Sequence, residues 1–77
     1  MKVTSLGRNK TQIETQDKII LVSYQTPVAA WIKGRGYLRT SEYHSVTTSR
    51  HINEWLAEQN AAKVTPVEQE ELDKLMG

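Results

Sequence analysis

Cysteine and phenylalanine are both absent from this sequence. Without thiols there is no disulfide framework and no thiolate metal site, so a small scaffold has to hold itself together by packing or by association. Glycine occurs four times and proline twice, too sparsely for a collagen-like or low-complexity chain. No apolar run approaches the ~20 residues that span a bilayer. The amino terminus also lacks the charged-then-apolar plan of a signal peptide, so an unprocessed chain in a cytoplasm, without a membrane partner, is expected.

What remains is a 77-residue chain with seventeen leucine, isoleucine and valine residues. That is enough for one core, although a domain of this size buries only ~60% of its unfolded surface. Large multi-domain enzymes are thereby excluded. The net charge of +1 conceals a division. Residues 1–52 carry eight basic side chains against three acidic ones, while residues 53–77 carry two basic against six acidic. A split of this kind marks either a bipolar surface or an acidic helix beside a basic sheet.

The first forty residues carry strand signals: β-branched side chains, short alternations and turn residues. Strands are expected over Lys2 to Leu6, Thr11 to Thr15, Lys18 to Tyr24, Val28 to Ile32 and Tyr37 to Thr40. The Lys18 to Tyr24 segment places apolar residues on both faces, as a central strand does, because successive side chains point in opposite directions. Lys33-Gly34-Arg35-Gly36 marks a hairpin turn whose glycines accept positive φ. After Ser41 the period changes. Ile52, Trp55 and Leu56 stand at i, i+3 and i+4, predicting an amphipathic helix from about Thr48 to about Ala62, capped by Thr47, Thr48 or Ser49. Lys63-Val64 reads as a linker, and Thr65-Pro66-Val67-Glu68 as a capping box that opens a short second helix.

The expected architecture is therefore α+β: a small antiparallel sheet of four to five strands, one amphipathic helix and a short C-terminal helix. Residues 1–62 form the sheet-plus-helix domain and 63–77 a linker with an acidic helix. One helix cannot cover both Ile19 with Leu21 and Ile20 with Val22, so the second pair requires the C-terminal helix or another subunit, and a homo-oligomer is expected.

Two segments, Tyr24-Gln25-Thr26-Pro27-Val28-Ala29-Ala30 and Tyr43-His44-Ser45-Val46-Thr47-Thr48-Ser49-Arg50-His51-Ile52, resemble a family of small proteins of unknown function encoded mainly by bacteriophages. That family pairs a Ser-Tyr-x-Thr-Pro-Val-Ala strand with a later Tyr-Ser-x-Thr-Thr-x-x-His-Ile segment that opens a helix. The similarity covers about residues 18–56, and here His44 stands between Tyr43 and Ser45. The resemblance implies a viral origin and a host cytoplasm, and it brings no activity with it.

Four groups of residues are candidates for chemistry. His44, His51 and Glu54 supply two imidazoles and a carboxylate, short of the fixed ligand set that a catalytic zinc requires. Ser45, Thr47, Thr48 and Ser49 offer hydroxyls, but no Gly-x-Ser-x-Gly elbow accompanies them and helix capping accounts for them. Lys33, Arg35 and Arg39 with Tyr37 combine cations and an aromatic on a hairpin, which is suited to a protein partner or, as the alternative, to single-stranded nucleic acid. Trp31, Trp55, Tyr24, Tyr37 and Tyr43 are candidate anchors for a protein partner, but in a chain without phenylalanine Trp31 and Trp55 are expected in the core. The sequence thus predicts a non-enzymatic binding module for a host or phage protein, free of metal and cofactor, with Lys33, Arg35, Tyr37 and Arg39 as its partner-facing residues.

Overall fold

The computed structural model of the chain describes residues 1–76. Five strands form an antiparallel meander: β1 (Lys2–Gly7), β2 (Lys10–Glu14), β3 (Lys18–Ser23), β4 (Thr26–Ile32) and β5 (Gly36–Thr40). Helix α1 (Val46–Glu58) then carries the chain over one face to β6 (Val64–Val67), which lies parallel to β5, and α2 (Gln69–Leu75) covers part of the other face. The sheet is therefore six-stranded and mixed, in the order of the sequence, rather than antiparallel with four to five strands.

Short turns set the register of the meander. Arg8-Asn9 joins β1 to β2 with Asn9 at φ 59°, and Tyr24-Gln25 joins β3 to β4 with Tyr24 at φ 58°. The three-residue loop Lys33-Gly34-Arg35 closes the next hairpin, and Gly34 and Gly36 adopt φ of 88° and 85°, a region that residues with a Cβ seldom enter. Between Leu21 and Val22 the register with β4 slips, so Val28 and Ala29 both join the α1-side core. This is the bulge that Pro27, unable to donate to a ladder, accommodates.

Strand β3 is central, as its two apolar faces require. Leu21 packs with Val28, Ala29, Ile52, Trp55 and Leu56 under α1, while Ile20 and Val22 pack with Ala30, Leu38, Val67 and Leu72 under α2. The second apolar set is thus covered within the chain. Stripping water from these side chains stabilises the fold by ~25 cal/mol for each Å² of apolar surface removed.

Two expectations fail at the carboxy-terminal end. Val64–Val67 is a strand, not a linker and capping box, and α2 begins at Gln69 with Glu68 at its N-cap making no side-chain cap bond. The Thr-x-x-Glu spacing is overridden by Val64 and Val67, which bury one on each face of the sheet beside β5. Residues 63–76 thus contribute a sixth strand to the sheet and, through Val67 and Leu72, two side chains to its core. Helix α1 likewise runs over 46–58 instead of 48–62, because the Ser45 hydroxyl accepts the Thr48 amide at 3.0 Å and fixes the start two residues earlier. Asn60 at φ 56° follows the last turn, a conformation in which the helix cannot continue.

Candidate functional site

Thr48, His51, Ile52 and Trp55 occupy i, i+3, i+4 and i+7 of α1, one continuous stripe facing the sheet. Its lower half is apolar. Its upper half is polar and meets Ser23, the last residue of β3, which shares a face with Leu21 two residues before it. Ser23 Oγ lies 2.8 Å from His51 Nδ1 and 3.0 Å from Thr48 Oγ1. Ser23 has one proton and two lone pairs, so it donates to at most one of these neighbours and accepts from the other. Beside them Lys10, paired in register with Ser23, is also buried and reaches Glu54 Oε1 at 3.4 Å.

A serine within hydrogen-bond reach of an imidazole is the pairing that nucleophilic catalysis uses. Here Ser23 exposes only 2% of its surface, its Oγ is shared with a second hydroxyl, and it lines neither the groove beside Thr40 to His44 nor the one beside Ile13 and Leu75. These side chains satisfy one another instead. Above them Tyr24 holds its left-handed φ while half exposed, with its ring 6.2 Å from that of His51 and its amide donating to Asn9 O at 2.8 Å.

The two histidines are not brought together. His44 is exposed, and its Nε2 lies 2.9 Å from Gln69 Oε1. Gln69 Nε2 donates to Pro27 O at 2.7 Å and to Asp73 Oδ1 at 2.9 Å, which fixes the amide's orientation and makes His44 Nε2 the donor. Among the described residues no three His, Asp or Glu side chains group as metal ligands.

The hairpin residues diverge. Arg35 reaches across to Glu71 on α2 at 3.5 Å, whereas Arg39 donates to Asn53 on α1 at 3.3 Å. Lys33 is exposed in the turn. Tyr37 is half-buried, its ring edge-on to Trp55 at 6.0 Å and its hydroxyl donating to Gln59. Trp55 itself is fully buried and donates from Nε1 to Gln12 Oε1 at 2.8 Å. The expected quartet therefore divides: Tyr37 and Arg39 on the α1 side, Arg35 toward α2.

Arg39 instead joins a groove of about 320 Å³ at the carboxyl end of β5, bounded by the loop from Thr40 to His44, the first turns of α1 and Pro66. Ile52 lies at its apolar base, and Tyr43 at its margin is 71% exposed. Val46, opening α1 beside it, is 68% exposed. The groove was not foreseen, because it requires β6 next to β5. Ser23 was also missed, although the polar head of the α1 stripe called for a polar partner on a strand.

These features define a small α+β domain, one mixed six-stranded sheet between two helices, in which Ser23, Thr48 and His51 are hydrogen-bonded to one another. The chain belongs to the DUF8033 family of unknown function, which matches it over residues 1–74. No curated protein and no solved structure matches it.

Proposed function

We propose that this chain is a non-enzymatic binding module, encoded by a bacteriophage and acting in the host cytoplasm on a host or virion protein. The viral assignment rests on the two segments around Tyr24 to Ala30 and Tyr43 to Ile52. The binding assignment rests chiefly on one observation: Tyr43 and Val46 stand exposed beside the Arg39 groove while Ser23, Thr48 and His51 are occupied internally. Aromatic and arginine side chains around a small apolar depression are what interface hot spots are made of. The partner face then contains Arg39, Tyr43 and Val46, with Tyr37 supporting Arg39 from the same side of β5. Lys33 and Arg35 lie at the strand's other end.

Capture from a bacterial lysate on the immobilised full-length chain, with chemical cross-linking, tests this. A protein retained by the unmodified chain and lost from Tyr43→Ala with Val46→Asp, at unchanged melting temperature, supports the proposal. Tight binding of a single-stranded oligonucleotide that weakens steeply with salt, and that disappears on Lys33→Glu with Arg35→Glu, would replace it with the nucleic-acid alternative.

A further inference from the structure

The two edges of the sheet are finished differently. Strand β6 is four residues long and contains Pro66, which removes a backbone donor, a common protection against edge pairing. Strand β1 has six residues, no proline, and a single charge, Lys2, which faces Glu14 on β2. Beside β1 the α2 side of the sheet is incompletely covered, because seven-residue α2 packs chiefly on β4, with Leu72 reaching Ile20 and Val22 of β3. A groove of about 420 Å³ remains there, lined by Met1, Ile13, Ile20, Leu75 and Met76 together with Thr15 and Lys18. Val3 and Met76 next to it are 62% and 45% exposed.

We infer that a second copy of this chain occupies this edge, pairing β1 with β1 antiparallel about a two-fold axis through Val3. Two-fold pairing that extends the sheet keeps the α2 sides of both copies on one face, so only registers opposing residues of like orientation are allowed. Centring on Lys2 would oppose two cations. Centring on Val3 sets valine against valine and Lys2 against the neighbouring Thr4, and it extends the cross-strand row of Ile20, Ile13 and Val3 into the second copy. The exposed Val3 and Met76 side chains and the unpaired backbone groups of β1 make this a contact at the small, reversible end of the interface range, with the strand-edge hydrogen bonds adding to the apolar burial. The partner is self-complementary because the exposed row is.

The cysteine-free chain permits a clean test. Residues facing each other across an antiparallel pair have Cα atoms ~4.5–5.5 Å apart, within disulfide range. Val3→Cys should oxidise to a covalent dimer at concentrations where Thr4→Cys, turned to the other face, and Glu58→Cys, on exposed α1, remain monomeric. Light scattering over about three decades of concentration should follow a monomer–dimer equilibrium for the unmodified chain and monomer alone for Val3→Lys with its melting transition retained. A monomer throughout, a Val3→Lys dimer, or cross-linking of Val3→Cys no faster than the two controls would each overturn the inference. Lysate capture through Tyr43 and Val46 lies on another surface, so either result can fail alone.

Discussion

Replacing Trp55 with alanine is the perturbation whose size follows most directly from the structure. The side chain is fully buried, packs with Leu21, Val28, Ala29, Ile52 and Leu56, meets Tyr37 edge-on at 6.0 Å and donates to Gln12 at 2.8 Å. Loss of an aromatic side chain from a core costs ~3–5 kcal/mol, including the cavity it leaves. The hydrogen bond's net share is about 1 kcal/mol, since water can reach half-buried Gln12 once the indole is gone. A chain of 77 residues has a total stability of roughly 4–12 kcal/mol. Trp55→Ala should therefore lower Tm by roughly 12–40 °C and leave the weakest cases unfolded at room temperature. Urea titration followed by circular dichroism measures this, and Trp55→Phe combined with Gln12→Ala in a double-mutant cycle isolates the bond, with a coupling of about 1 kcal/mol expected. A loss below ~1 kcal/mol for Trp55→Ala would show that the indole is not a core element and would undo the assignment of α1's inner face.

Three further outcomes can be checked by the same titration. Ser23→Ala leaves Thr48 and His51 without their shared partner in a buried setting and should cost ~1–3 kcal/mol; a change under 0.5 kcal/mol, well below the ~1 kcal/mol floor for such orphaned groups, would mean that water replaces the hydroxyl. Ser45→Ala should cost about 1 kcal/mol through the lost cap while Thr47→Ala costs almost nothing, and the reverse order would return the cap to Thr47. Tyr24→Asn exchanges a strained residue for one that tolerates positive φ and should raise stability by up to about 1 kcal/mol, whereas a clear loss would make the Tyr24–His51 contact the stronger contribution.

The meander was legible because its signals are local: each strand's alternation and the Asn, Asp, Gly or Pro at or beside each turn lie within a few residues. Trp55 was legible for the same reason, through its spacing from Ile52 and Leu56. What the sequence did not disclose depends on distant partners. Val64 to Val67 forms a strand only because β5 offers it an open edge, and without that neighbour Thr65-Pro66-Val67-Glu68 is as good a helix start as any. The Arg39 groove inherits this dependence, since Pro66 is one of its walls. Arg35 and Arg39 looked equivalent along the chain, four residues apart, yet each finds its partner on a different layer.

The parallel β5–β6 pair also divides the molecule in time. Strands β1 to β5 close through turns of two to three residues, so their contacts are cheap in loop entropy and can form in microseconds, as hairpins do. Strand β6 finds β5 only after a crossover through α1, and non-local pairing of this kind is slow. The last strand and α2 are thus placed to dock late in folding and to detach early in unfolding. Amide exchange in the native protein should reveal them as a unit that opens below the global free energy, carrying Val67 and Leu72 out of the core while the meander stays closed. Every such opening uncovers Ile20, Leu38 and the edge of β5 together. Misassembly between copies would then begin at the carboxy-terminal side of the sheet, by one chain lending its last strand to another, long before the meander itself comes apart.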